Sequence, residues 1–294
     1  FKGGSATNSN GTGGVSGGTG AITVNANAGC QGHLYENLVF HGIKNCINLN
    51  GLSDSIIRGC RFRNPPTGKG TGAFITMDDN NYSPGPPESG ERLDQIRIEN
   101  CIGDGYIGTG TGDQEFNNQV DGIHIKGYCN TIFVTNSSFI RLNRCYYIDN
   151  TWTGEFLYFT NAEAERAAGQ AGFLIDSGGT STQGNFITLD NCFSSSCGVG
   201  ATDSHGIQLA GTLDASVNIT NCNVRGNRGH GIVIDSDGGN TSIVNPIICG
   251  NSANSSGTNH GIFIGNDVDD VYIGGGRIGG DVSVKGTGNQ VEEF

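Results

Sequence analysis

The chain has 294 residues, of which 51 are Gly, while charged residues make up 15% and hydrophobic ones 35%, a composition unlike that of a helical enzyme. No run of apolar residues is long enough to span a membrane as a helix, and the glycines follow no Gly-x-y period, which excludes a collagen. A net charge of -12 leaves too few Lys and Arg to neutralise phosphates, so no nucleic acid and no membrane insertion are expected.

In chain order, residues 1–20 form an opening segment rich in Gly, Ser and Asn, and a repeat begins at 21. Its first element reads G-I-x-I: AITV at 21–24, CINL at 46–49, GAFI at 72–75, then DGIHI at 121–125, CYYI at 145–148, AGFLI at 171–175, HGIQL at 205–209, HGIVI at 230–234 and HGIFI at 260–264. A second element alternates with it and reads apolar-x-apolar-x-Asn or Gly, often followed by Cys, as in IRIENC at 96–101, ITLDNC at 187–192 and VNITNC at 217–222.

Period-two alternation over four or five residues, bounded by Gly, Asn, Asp and Ser, marks strands rather than helices. A unit of about 25 residues cannot bury its apolar side chains alone but does so when stacked on its neighbours. The expected fold is therefore all-β: a single-chain right-handed parallel β-helix of about nine or ten coils over residues 21–285, with 286–294 a terminal segment or linker. Asn100, Asn136, Asn161, Asn191 and Asn221 end the second element, and Asn tolerates the left-handed backbone of a sharp bend, so a stacked asparagine ladder is predicted. The ten cysteines follow the repeat without CxxC pairs and are expected as buried, unbridged thiols.

These repeats resemble the right-handed parallel β-helix family of pectate lyases, polygalacturonases and bacteriophage tailspikes over nearly the whole chain. The resemblance implies that the first strand of each coil, with its flanking loops, lines a groove that binds a polysaccharide lengthwise. Gly229-His230-Gly231 looks like a polygalacturonase motif, but no R-x-K follows and the paired aspartates of that family are reduced to one.

Outward positions of the first strands form two columns. Two after the anchor stand Asn48, Phe74, His124, Tyr147, Leu174 and Gln208; four after it stand Asn50, Thr76, Lys126, Asp149, Asp176, Ala210 and Asp235. Asp149 and Asp176 on adjacent coils are the expected acid and base, because neighbouring carboxylates repel and separate in pKa, as glycoside hydrolysis requires. Glu155 is the substitute. Asp121, His124, Lys126, Arg144 and Tyr147 complete the groove floor, and an insertion at 151–170 is expected to add Glu163, Glu165, Arg166 and Trp152, the last to stack on a sugar face. A second insertion at 76–92 flanks the same side.

His205, His230 and His260 are expected to stack at the start of their strands rather than bind a metal, since three coils spread them over nearly 10 Å. Asp235-Ser236-Asp237 and Asp267 to Asp270 read as turns, so no metal and no cofactor are expected. The resemblance implies a tailspike, folded in the bacterial cytoplasm and carried on the virion as a homotrimer, that binds and hydrolyses a bacterial surface polysaccharide. The alternatives are a non-catalytic adhesin or shaft, and a secreted polysaccharide lyase or epimerase.

Overall fold

A computed structural model describes residues 5–6, 21–25, 32–50, 54–65, 72–79, 93–106, 119–152, 154–177, 185–198, 204–212, 215–237, 239–251, 260–266 and 268–292. Most of the opening segment, residues 80–92, Cys30 and Asp267 lie outside them. Three ten-stranded sheets run the length of the chain, and each strand pairs in parallel with the strand three places on. The G-I-x-I elements make the first sheet and the Asn-terminated elements the second. A third sheet of two- or three-residue strands, such as Ile102–Asp104 and Ser138–Ile140, follows each Asn bend. The molecule is a parallel β-helix, and no α-helix occurs among the described residues.

Pairing runs past the expected limits at both ends. Ser5–Ala6 pairs with Val39–His41, and Gln290–Val291 with the strand Val271–Gly274. The stretch 151–170 is no insertion: Phe156–Thr160 and Glu163–Glu165 are regular strands of the second and third sheets.

The bend between the second and third sheets is made as the asparagines require. Asn100, Asn136, Asn161, Asn191 and Asn221 all have φ near +50°, a region few residues but Gly, Asn and Asp adopt at low cost. Asn161 Nδ2 donates to Asn136 Oδ1 at 2.9 Å, and Asn191 Nδ2 to Asn161 Oδ1 at 2.6 Å. Gly59 takes the same bend at φ 64°, where an added Cβ would sit 2.6 Å from Asn37 Oδ1.

Inward positions fill one continuous core. Its early coils hold Phe40, Phe62, Phe74 and Phe139, with Phe62 stacked on Phe40 at 5.2 Å and on Phe74 at 5.4 Å. Gly103 stands between them; a Cβ there would lie 2.3 Å from the Phe139 ring, so only glycine admits the cluster. Later coils are aliphatic, with Ile207, Ile232, Ile234, Ile262 and Ile264 at 0% exposure. Eight cysteines are buried free thiols within this core, but Cys249 is exposed at the end of Ile247–Cys249, against the expectation that all ten are buried. Burial pushes the Cys46 and Cys145 thiols well above the ordinary cysteine range, which keeps them protonated and inert.

Candidate functional site

The side chains with chemical capacity on the first sheet gather over the strands Gly72–Asp79, Val120–Gly127 and Tyr146–Ile148. The register differs from the sequence columns by two residues at one coil. Thr76 pairs with His124 and Asp78 with Lys126. Phe74 therefore takes the inward anchor place and is fully buried, not beside His124. The reason is volume: Gly103 on the third sheet leaves room for the ring, since a Cβ there would lie 3.0 Å from Phe74.

Asn45, Asn48, Thr76, Asp78, Asp121, His124, Lys126 and Arg144 line a cleft of about 310 Å³. Two ion pairs brace its walls. Lys126 Nζ lies 2.7 Å from Asp78 Oδ2. Arg144 grips Asp121 with both arms, Nε to Oδ1 at 2.9 Å and Nη2 to Oδ2 at 2.7 Å, while Asn143 Nδ2 adds a bond of 3.0 Å to Asp121 Oδ1. Asp121 is only 3% exposed, so its charge is tolerable only because these donors replace water. Burial opposes the Arg144 charge, but the Asp121 carboxylate outweighs it and holds the guanidinium above the ordinary arginine value.

His124 Nε2 stands 2.8 Å from Asp149 Oδ2. Thr151 donates to Asp149 Oδ1 from its backbone N–H at 2.8 Å and also from its hydroxyl. Burial would raise the Asp149 pKa, but the bonds from His124 and Thr151 prevail and hold it below the ordinary value. An ionised carboxylate only accepts, so Nε2 donates in this bond, and in the neutral ring the lone pair lies on Nδ1. No described residue bonds to Nδ1, and the side chain is 20% exposed.

Tyr147 ties these parts together. Its ring stacks on His124 at 4.6 Å, and the Arg144 guanidinium lies over it at 3.4 Å. Burial first, then the Asp149 and Asp176 carboxylates, push its hydroxyl above the ordinary tyrosine value against the pull of Arg144. Asp176 follows Ile175, the partner of Ile148, and so occupies the coil next to Asp149.

The structure thus brings together Asp121, His124, Lys126, Arg144, Tyr147, Asp149 and Asp176, and adds Asp78, Asn143 and Thr151. Within the expected carboxylate pair, Asp149 is held below the ordinary value and is hydrogen-bonded to His124. Glu155 lies just before Phe156–Thr160 on the second sheet, outside the cleft lining. Trp152 faces inward at 0% exposure and donates from Nε1 to Cys129 O at 3.0 Å, so it offers no face to a sugar.

Glu163 and Glu165 open onto the third sheet. There, with Phe193, Ser195, Arg225 and Cys249, they line a separate groove of about 490 Å³. Arg166 pairs with Glu165 at 3.3 Å.

The histidine column is a structural ladder. His230 N–H donates to His205 Nδ1 at 3.0 Å and His260 N–H to His230 Nδ1 at 2.9 Å, with ring centroids 5.2 and 5.4 Å apart. No group of three or more His, Cys, Asp or Glu that could hold a metal occurs among the described residues. Asp269 serves its turn, accepting from the Thr287 N–H and hydroxyl. Asp235 and Ser236 are instead part of the strand Ile232–Asp237.

Comparison with protein-family models, with curated proteins and with solved structures finds no match. Function must be argued from the site itself.

Proposed function

We propose that this chain is a tailspike-like protein that binds a bacterial surface polysaccharide along its first sheet and depolymerises it by hydrolysis. The observation that supports this is the His124–Asp149 pair, a base held in one tautomer at the wall of a cleft on the sheet face. His124 Nδ1 takes a proton from water as the water oxygen attacks the anomeric carbon. The glycosidic C–O bond breaks, and Asp176 in its protonated form delivers a proton to the departing oxygen. Asp149 orients His124 and stabilises the imidazolium that forms as the proton arrives, so it is a positioning residue, not the acid or base itself.

The eight buried thiols support folding in a reducing cytoplasm, as for a virion component. The homotrimer rests on the resemblance to tailspikes alone. The decisive experiment is incubation of the chain with capsule and lipopolysaccharide preparations, followed by chromatography of the products. Discrete saturated oligosaccharides support hydrolysis. Unsaturated, ultraviolet-absorbing ends would transfer the chain to the lyases, and binding without products would make it an adhesin. Light scattering that returns a monomer would overturn the trimer.

A further inference from the structure

We infer that the glycan taken by this cleft is neutral and hydroxyl-rich, not a uronate, sialate or sulfated chain. The inference rests on the polysaccharide reading above and names the substrate class for the same site.

The positive charge of the cleft is already neutralised inside the protein. The cleft lining contains two permanent cations, and each has its own carboxylate: Lys126 with Asp78 at 2.7 Å, and Arg144 with Asp121 through two bonds. An anionic sugar that drew Arg144 away from Asp121 would leave that carboxylate, 4% exposed, buried without its partner. Arg144 is also clamped on its flat side by Tyr147 at 3.4 Å. Asp149, held ionised by its hydrogen bonds, then adds negative charge beside the cleft. A second anion meets repulsion there, and both cations of the lining are already paired.

The groups with bonding capacity to spare point the same way. In the neutral ring His124 Nδ1 is an acceptor, Asn48 Oδ1 is a buried acceptor with no hydrogen-bond partner among the described residues, and the Thr76 hydroxyl at the cleft wall both donates and accepts. Acceptors in excess call for a ligand rich in O–H donors and without formal charge. Sugar hydroxyls meet that description; carboxylates and sulfates do not.

The test measures binding of the whole chain to two sets of soluble probes, neutral dextran, mannan and galactan against alginate, polygalacturonate and hyaluronan, each at low and at high salt. Neutral probes should bind, with affinity changing less than about twofold between roughly 20 and 500 mM NaCl, because no ion pair with the ligand is screened. Asp78→Asn, which frees Lys126, should create binding to the uronate probes where the wild type has none. Wild-type binding confined to the uronate set, weakening about tenfold or more with salt, overturns the inference while leaving the polysaccharide reading intact. Binding to neither set overturns that reading and this inference together. If Asp78→Asn does not fold, the wild-type comparison alone decides.

Discussion

His124 and Asp149 meet diagonally, from positions of different phase on adjacent coils, with 2.8 Å between Nε2 and Oδ2. The bond fixes the tautomer that a base needs and keeps the carboxylate charged. His124→Gln should lower turnover by about 100-fold or more, and Asp149→Asn by about 10- to 100-fold, as expected of a partner that acts through the ring. The measure is product release from the cleaved glycan, with binding followed separately. Full turnover in both variants would remove the pair from the chemistry.

The same bond carries a pH signature in stability. Because the folded Asp149 carboxyl titrates below its ordinary value of 3.8, its pairing stabilises the fold above that value and is lost as pH falls through the lower folded one. Asp149→Asn should therefore cost roughly 1.5–3 kcal/mol near neutrality, and the gap to wild type should close in acid. Urea unfolding near pH 7 and near pH 3 measures both. A gap that persists unchanged in acid would contradict the assignment.

Trp152 is the only tryptophan in the chain and is wholly enclosed, so its fluorescence should be that of an apolar site and should not respond to saturating glycan. Trp152→Ala should destabilise by about 3–5 kcal/mol through the cavity it leaves. A red-shifted emission that moves on glycan addition would place the indole at the surface.

At Asn161, φ 53° and the two side-chain bonds to Asn136 and Asn191 make separable contributions. Asn161→Gly loses the bonds but keeps an easy left-handed bend; Asn161→Ala loses both. The alanine variant should be the less stable of the two by about 1 kcal/mol or more. Equal midpoints in denaturant would mean the bend is unstrained.

Thiol labelling of the native protein should find Cys249 reactive and the eight core cysteines protected until unfolding. Cys249→Ser should delete one fast-reacting thiol. Fast labelling of Cys145 or Cys192 would deny them their place in the core.

The repeat was legible because alternation, bends and cysteine placement all recur at one spacing. The third sheet was fainter, since its strands are two or three residues long and carry a single inward side chain each. Register failed at Gly72, a glycine that imitates the anchor while Phe74, two residues on, holds the inward place. The stretch 151–170 reads as an insertion in the sequence, whereas the indole of Trp152 points inward, and Glu163 and Glu165 are the outward positions of a regular strand. At the site, residue types were legible but pairings were not. Columns of like phase suggested Asp149 with Asp176, whereas side-chain reach across the diagonal joins Asp149 to His124, and the true register sets Asp78 directly opposite Lys126.

Phe74, seated where the neighbouring coils have Gly or Cys, has a consequence for how the chain finds its alignment during folding. A stack of nearly identical turns is like a screw thread: advanced by one full turn, it fits almost as well. A bulky ring that only one hollow accepts, the one opened by Gly103, works as a key in its slot and penalises every misthreaded alignment. The irregular residues of this solenoid thus fix which turn lies on which, and with it the meeting of His124 and Asp149.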